Sequence, residues 1–243
     1  MQAASFMQCQ QVQSEGVLNR SVAVPAYLQE TYWWAYIHPN AVRFFERQWL
    51  VNLILWGNFS RLRDAAIDSL GASLTGRTLQ VACVYGDFTN RLCRRITQDG
   101  TLAVVDVLPI QLKNLKSKLP ADAPVALHQF DSTDLGLADA SYDQAILFFL
   151  LHEQPEAVRR RTISEVLRVL KPGGRLVLVD YHRPSWWHPL RYLFRPVLHH
   201  LEPYALDLWA SDIDEWFPAN FEPAVMQKQT YFGGLYQKVV ITV

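Results

Sequence analysis

Two aspartates and a short glycine-containing turn are the residues whose types and spacing could bind a nucleoside. The turn, residues 81–89, reads Val-Ala-Cys-Val-Tyr-Gly-Asp-Phe-Thr and follows an apolar run. Asp106 ends the next apolar run, about twenty residues further on, where a carboxylate can accept hydrogen bonds from ribose hydroxyls. Asp131 follows a third apolar run, and its carboxylate can accept from an adenine amino group. One strand-end aspartate is more often a helix cap, but the order and spacing of the two favour a nucleoside site.

Alternating apolar runs and helical patterns predict the elements that must position these residues. The apolar runs are residues 79–84, 101–107, 125–130, 143–151 and 175–180, and helical patterns separate them. Such alternation predicts a parallel sheet covered by helices on both faces. Two further strands, at 224–229 and 235–243, close it. We therefore predict a Rossmann-like α/β fold with a mostly parallel seven-stranded sheet, an N-terminal helical segment and an inserted helical cap. Ligands of such sheets bind at the carboxyl ends of the strands.

The chain divides into three parts by composition. Residues 1–24 are predicted to be a poorly ordered lead-in, and 25–74 a helical segment facing substrate or membrane. Residues 75–243 are predicted to form the cofactor-binding domain, with a cap insertion at 183–220 that is rich in aromatic, His and Pro residues. The longest nearly apolar run, residues 49–56, is far shorter than the ~20 residues that span a bilayer.

Composition excludes several classes of protein. The 243 residues contain 23 Lys and Arg against 23 Asp and Glu, and this balance argues against a nucleic-acid binder. Three cysteines cannot form a complete disulfide framework, which favours a reducing, cytoplasmic setting. Eight tryptophans are a high content for a cytosolic protein of this length.

The motifs resemble those of class I S-adenosylmethionine-dependent methyltransferases, especially the branch that methylates the ubiquinone or menaquinone ring. The similar segments are Leu79-Gln-Val-Ala-Cys-Val-Tyr-Gly-Asp-Phe-Thr89, Val104-Val-Asp-Val107, Asp131-Ser-Thr-Asp134, Ser141-Tyr-Asp-Gln144 and residues 167–180 with their Lys-Pro-Gly-Gly block. The resemblance implies S-adenosylmethionine as cofactor. It also implies that the cofactor contacts residues Ala82, Val84, Gly86, Asp106, Val107, Asp131 and Ser132.

The first turn departs from that family at three positions. The acidic residue expected at the end of the first strand is Gln80, and the expected glycine at the sharpest point is Val84, followed by Tyr85. Glycine leaves room for a close cofactor and tolerates positive φ. We therefore expect Val84 and Tyr85 to crowd the methionine half of the cofactor, although packing in a drifted turn is the alternative.

A narrower resemblance, covering nearly the whole chain, fits both the departures and the N-terminal segment. Tyr32-Trp-Trp-Ala-Tyr-Ile-His-Pro39, residues 44–58 and Val84-Tyr-Gly-Asp87 are similar to the rhodoquinone-biosynthesis methyltransferase-like proteins. That resemblance implies conversion of ubiquinone to rhodoquinone by replacing a ring methoxy group with an amino group. It further implies S-adenosylmethionine as amino donor and a manganese ion. The alternatives are a conventional methyltransferase for a quinone or other small hydrophobic molecule, and a non-catalytic quinone-binding module.

The implied chemistry directs attention to polar residues near the strand ends. The predicted catalytic residues are Tyr85, His152, Tyr181 and His182, and the predicted metal ligands are Asp131, His152 and Glu153, because manganese prefers carboxylate and imidazole ligands. The predicted substrate contacts are Tyr32, Trp33, Trp49 and Trp186. All eight tryptophans fall in the N-terminal segment or the cap, which predicts an aromatic entrance for a lipid quinone and peripheral attachment to the inner face of the membrane. Helix packing is the alternative explanation for many of them.

Overall fold

Five consecutive apolar segments form the parallel strands of one seven-stranded sheet in the computed structural model, which describes residues 22–243. The strands are β1 (Leu74–Val81), β2 (Ile96–Val105), β3 (Val125–His128), β4 (Tyr142–Phe148), β5 (Leu170–Tyr181), β6 (Val225–Tyr231) and β7 (Tyr236–Thr242). Their order is β3-β2-β1-β4-β5-β7-β6, with β1 to β5 parallel and β7 antiparallel to both β5 and β6. The predicted fold is confirmed. The predicted lead-in falls almost entirely on residues 1–21, outside the described residues.

Helices cover both faces of this sheet. They are α1 (Ala26–Thr31), α2 (Pro39–Phe45), α3 (Gln48–Ile54), α4 (Phe59–Leu70), α5 (Phe88–Cys93), α6 (Pro109–Lys118), α7 (Glu156–Val169), α8 (Leu190–Leu201) and α9 (Asp207–Ala210). A π-helical turn (Trp33–Ile37) joins α1 to α2, and short 3₁₀ turns occur at Leu151–Glu153, Pro203–Leu206 and Ile213–Trp216. Within residues 22–243, no helix combines the length and apolarity needed to cross a membrane.

The core lies where α4 and α7 pack on the central strands. In α4 the buried residues Phe59, Leu62, Ala66, Ile67 and Leu70 recur at helical spacing, so one face of this helix packs on the sheet. Strands β4 and β5 are buried on both faces, as expected for parallel strands covered by helices on each side. This packing fixes the carboxyl ends of β1, β2 and β4 beside one another.

The segment from α1 to α3 lies across those carboxyl ends. Leu28 and Tyr32 pack with Leu108, which follows β2, in a small buried cluster separate from the main core. Glu46, between α2 and α3, binds Lys118 of α6 and accepts from the backbone N–H of Gly86 at 3.0 Å. The N-terminal segment is therefore tied to the first turn and covers the place where ligands of such sheets bind.

Candidate functional site

A narrow cleft lies at the carboxyl ends of β1, β2 and β4, beneath the N-terminal segment. The first turn lines it, together with residues after β2, β3 and β4 and with α1 and the π-helical turn. The lining residues are Tyr27, Leu28, Tyr36, Val81, Ala82, Cys83, Tyr85, Val105, Asp106, Val107, Leu108, Gln111, Phe130, Asp131, Ser132, Phe149, Leu150, Glu153 and Gln154. Its cavity volume is about 70 Å³. Ligand pockets have volumes of ~300 Å³ or more, so a nucleoside cofactor needs the N-terminal segment to move outward.

Two lining residues have strained backbones. Ala82 (φ +72°) directly follows β1, and Phe149 (φ +54°) directly follows β4. Positive φ costs a residue with a Cβ about 1–2 kcal/mol, and such strain concentrates at functional sites. Gln80 explains how the first position is held, because its amide donates to the Ala82 carbonyl at 2.9 Å and accepts from the Thr89 hydroxyl at 3.0 Å. A carboxylate could not make the first of these bonds at neutral pH.

Asp106 is the buried carboxylate of the cleft. Its two oxygens accept from the backbone N–H groups of Cys83 and Leu108, each at 2.8 Å. Burial raises its pKa to about 6, although these hydrogen bonds act in the opposite direction. A carboxylate has about four acceptor sites, so lone pairs are left for ribose hydroxyls. Asp131 also lines the cleft, and its Oδ1 accepts from the N–H and hydroxyl of Thr133 at 2.8 Å.

Tyr85 holds the first turn to the N-terminal segment. Its hydroxyl donates to the carbonyl of Ala35 at 3.0 Å and accepts from the amide of Gln111 at 2.8 Å. Its ring stacks on Tyr36 and Phe45, with centroids 6.0 and 6.1 Å away. Burial raises the pKa of the phenol, so Tyr85 stays protonated at neutral pH. The side chain is thereby fixed inside the cleft.

A buried ionic cluster lies under the cleft at the ends of β4 and β5. His152 Nδ1 lies 2.9 Å from Asp180, and His152 Nε2 lies 3.2 Å from Glu202 and 3.7 Å from Glu153. Burial alone lowers the pKa of His152, but Asp180 and Glu202 outweigh it and raise the pKa to about 10. Burial raises the pKa of Glu153 to about 8, although His152 opposes this. Glu153 lines the cleft and accepts a hydrogen bond from the Tyr36 hydroxyl.

The four predicted catalytic residues lie at different distances from the cleft. Tyr85 stands in the cleft, and His152 lies behind Glu153. Tyr181 is buried outside the cleft lining, with its ring centroid 5.0 Å from that of His152. His182 points away, with Nδ1 2.8 Å from the carbonyl of Gly234 between β6 and β7. Neither Tyr181 nor His182 is among the residues that line the cleft, and their catalytic roles stay predictions.

The predicted cofactor residues mostly lie together. Ala82, Asp106, Val107, Asp131 and Ser132 all line the cleft. Val84 and Gly86 do not: Val84 packs against the main core, and Gly86 is buried with its N–H bonded to Glu46. Of the pair that was expected to crowd the cofactor, Tyr85 lines the cleft and Val84 does not.

The predicted metal ligands do not form a metal site. Asp131 bonds to its own turn, whereas His152 and Glu153 belong to the ionic cluster, in which the carboxylates surround an imidazole ring. Across residues 22–243, no group of three or more His, Cys, Asp or Glu side chains is arranged to hold a metal ion.

None of the four predicted substrate residues is among the residues that line the cleft. Tyr32 is buried at 1% exposure beneath Tyr36. Trp33, Trp49 and Trp186 are exposed at the surface. Conversely, sequence reasoning missed Tyr36 and Gln111 of the cleft, and Glu202 of the ionic cluster. Spacing alone could not identify their contacts, because Tyr36 and Glu202 lie in elements that fold over the site, and Gln111, in the first turn of α6, contacts Tyr36 and Tyr85 across the cleft.

Sheet order, a nucleoside-type carboxylate after β2 and a ligand cleft at the strand ends together define the fold of a class I S-adenosylmethionine-dependent methyltransferase. Among solved structures, the chain is similar to the N-methyltransferase NodS of Bradyrhizobium japonicum in complex with S-adenosyl-L-homocysteine, at 14% identity. The TM-score is 0.57, over 84% of this chain and 96% of that one. It is also similar to a SAM-dependent methyltransferase of Aquifex aeolicus, at 16% identity and a TM-score of 0.51, over 85% and 98% of the two chains. At these identities the likeness shows the fold.

Sequence comparison identifies the family. Residues 78–174 match the methyltransferase domain family. An uncharacterized methyltransferase of Synechocystis sp. is 30% identical over 154 residues, which are 63% of this chain and 68% of that protein. The ubiquinone/menaquinone biosynthesis C-methyltransferase of Pseudomonas paraeruginosa is 30% identical over 56% of this chain and 54% of its own. The 2-phytyl-1,4-naphtoquinone methyltransferase of Trichormus variabilis is 29% identical over 51% and 54%. The chain belongs to the S-adenosylmethionine-dependent methyltransferase family, and it spans about half the length of these two quinone methyltransferases.

Proposed function

We propose that this protein transfers the α-amino group of S-adenosylmethionine to ubiquinone, displacing a ring methoxy group and producing rhodoquinone. Membership of a methyltransferase family with quinone-modifying relatives supports the cofactor and the class of substrate. The observation that carries the proposal is the position of Tyr85 inside the cleft. It supports amino transfer over the methyl transfer for which the relatives are named.

Tyr85 takes up space at the turn that the resembled methyltransferases keep open with glycine. In the closed cleft its hydroxyl is bonded on two sides and its ring is stacked on two sides. When the N-terminal segment moves outward, the bond from Gln111 of α6 still holds the hydroxyl beside the first turn. The adenosyl half of the cofactor can still meet Asp106 and Asp131. We infer that the methionine half takes another path, along which its nitrogen rather than its methyl group faces the quinone. Such positioning of donor and acceptor is a large part of catalysis.

Amino transfer requires a neutral amine, and Glu153 is placed to accept the proton. Its carboxylate lines the cleft, and its pKa of about 8 is close to the ~8 of an ordinary α-amino group. A proton acceptor is most efficient when its pKa is near that of the donor and near the working pH. His152 and Asp180 hold Glu153 in place from beneath.

The bond changes follow from the substrate. The neutral nitrogen adds to the ring carbon that bears methoxy, methoxide takes the proton held by Glu153 and leaves as methanol, and Glu153 then takes one proton from the nitrogen. The amino group is released from the donor when the bond between nitrogen and Cα breaks: a proton is lost from Cβ, a double bond forms between Cα and Cβ, and the nitrogen keeps the electron pair and takes up a proton. No step is assigned to manganese, because the described residues do not form a site for it.

Isotope labelling tests the proposal. The folded protein is incubated with ubiquinone and S-adenosylmethionine carrying ¹⁵N at the α-amino group and ¹³C at the methyl group, with and without added manganese. Mass spectrometry of the quinone should show ¹⁵N gained and the mass of one methoxy group lost. Product with ¹³C and no ¹⁵N would refute amino transfer, and unlabelled quinone that still binds would indicate a non-catalytic binding module.

Methylation of a quinone ring is the second candidate. Its support is that two relatives are named for ring methylation in quinone biosynthesis, and that the cleft keeps the carboxylates Asp106 and Asp131. The same labelling experiment separates it from amino transfer.

A further inference from the structure

Two neighbouring helices of this domain expose apolar side chains on one side of the molecule. From α3 and the turn after it these are Trp49, Leu53, Ile54 and Trp56, and from the cap they are Trp186, Trp187, Tyr192, Leu193, Val197 and Leu201. Trp49 is 60% exposed and Trp186 is 75% exposed. The Trp56 ring lies 5.8 Å from that of Phe194 in α8, so the end of α3 meets α8. We call these ten residues the apolar face.

Packing within the domain does not account for this surface. In α8 the buried stripe is Phe194 and Leu198, whereas Leu193, Val197 and Leu201 form a second stripe at spacing i, i+4, i+8 that faces solvent. In α3 Leu50 is the buried residue, whereas Trp49 and Leu53 lie at i, i+4 on the exposed side, and Trp56 in the turn after the helix is also exposed. A helix that only packs on its own domain has one apolar stripe. An exposed apolar patch of ten residues marks a surface that binds another molecule.

The charged residues beside the apolar face indicate which kind of partner it binds. Residues 183–201 contain three arginines, Arg183, Arg191 and Arg195, and no Asp or Glu, although the chain as a whole is neutral. Residues 47–57 likewise contain Arg47 and no acid. Tryptophans and arginines around an apolar helix face are typical of proteins that lie in the interface of an anionic bilayer. A second copy bound about a two-fold axis would instead bring these arginines towards one another.

We propose that the apolar face docks this protein on an anionic phospholipid bilayer, with α3 and α8 lying in the headgroup region. The face adjoins the cleft on two sides. Glu202, directly after α8, lies 3.2 Å from His152 under the cleft, and α3 follows the segment that carries Tyr36. Docking is independent of which group the enzyme transfers; only its use for delivering a lipid quinone rests on the proposed function.

Vesicle sedimentation of the full chain tests this proposal. Wild type should sediment with vesicles of equal parts phosphatidylcholine and phosphatidylglycerol, and at least tenfold less with phosphatidylcholine alone. The variant Leu193→Ser/Val197→Ser should bind the anionic vesicles at least tenfold more weakly. Arg195→Glu should weaken binding by more than about fivefold, since each basic residue near such a surface contributes about that factor.

A matched control is Val225→Ser/Met226→Ser, which removes two exposed apolar side chains from β6, outside the apolar face. It should bind as wild type does, and thermal melts followed by circular dichroism show whether each variant is folded. Equal binding by the α8 and β6 variants would overturn the proposal, as would absence of vesicle binding by wild type. A dimer in solution that the α8 variant abolishes would assign the face to a second copy instead.

Activity on a water-soluble, short-tailed quinone separates this proposal from the proposed function. The folded α8 variant should modify that quinone at the wild-type rate and lose activity only on long-tailed quinone in vesicles. Docking without nitrogen transfer would refute only the proposed function, and nitrogen transfer without docking would refute only the present proposal.

Discussion

Replacing Tyr85 by phenylalanine should tighten cofactor binding, because the hydroxyl holds the cleft shut. The cavity of about 70 Å³ is too small for a nucleoside cofactor until the N-terminal segment moves outward. The substitution removes the bond to the Ala35 carbonyl at 3.0 Å and the bond from Gln111 at 2.8 Å. Gln111 keeps its bond to the carbonyl of Tyr36, whereas Ala35 is buried and its carbonyl loses this partner.

The size of the effect follows from the bond to Ala35, because the bond from Gln111 joins α6 to the first turn and does not cross to the N-terminal segment. One such bond contributes a net ~0.5–1.5 kcal/mol, which the closed state loses relative to the open state. If closure excludes the cofactor, the apparent dissociation constant is the intrinsic one divided by the open fraction. The affinity for S-adenosylhomocysteine should therefore rise by about 2- to 13-fold.

Isothermal titration calorimetry measures this affinity directly. Hydrogen exchange should also become faster in residues 26–58 of the variant without cofactor. The matched control is Tyr231→Phe, which removes a tyrosine hydroxyl bonded to Gln229 in β6, away from the cleft. An unchanged or weaker affinity in folded Tyr85→Phe would refute the role of this hydroxyl as a latch.

Three further predictions concern the site and its support. Asp106→Asn should weaken S-adenosylhomocysteine binding by about 10- to 100-fold in the same calorimetric assay, because a charged acceptor worth ~1.5–3 kcal/mol is lost. Gln80→Glu should lower the free energy of unfolding in urea by about 1–3 kcal/mol, because a buried carboxylate cannot donate to the Ala82 carbonyl; Gln98→Glu, on the exposed side of β2, is its control. The folded-state pKa of His152, about 10, lies above the ordinary value of 6.5, so its stabilisation is complete below pH ~6.5 and is lost as pH rises towards 10. Urea unfolding at several pH values should show this fall, His152→Gln should flatten it, and equal slopes for both proteins would contradict the ion-pair geometry.

Periodicity was sufficient to predict the sheet. Central strands such as β4 and β5 are continuous apolar runs because both of their faces are buried, and this pattern survives without any tertiary information. Helix α7 begins at Glu156, directly after Pro155, because proline favours a helix start locally. Strand starts were less predictable: β1 and β2 each begin five residues earlier than expected, in polar stretches that only sheet pairing orders.

The site residues likewise divide into those that local sequence predicts and those that only tertiary contacts place. Residues carried by strand ends, such as Asp106 and Asp131, were predictable because chain order dictates where parallel strands end. Tyr36, Gln111 and Glu202 were not, because their contacts depend on how the N-terminal segment and the cap fold over the sheet. Val84 was predicted to face the cleft, but its side chain packs against the core. Sequence does not show which side chain of a neighbouring pair in a turn faces the cleft and which faces the core.

The departures at the first turn act together. Gln80 holds Ala82 at positive φ, Val84 packs into the core, and Tyr85 then projects into the cleft and bonds to the N-terminal segment. Val84→Gly would remove core contacts and leave the phenol of Tyr85 in place, so it should reduce stability more than it changes which group is transferred. The informative reversion is therefore at Tyr85, where loss of the side chain opens the path that a methyl donor would need. If Tyr85→Gly lost nitrogen transfer while Val84→Gly retained it, the position of this one ring would account for the change in chemistry, and the reverse pattern would remove the basis of the proposed function.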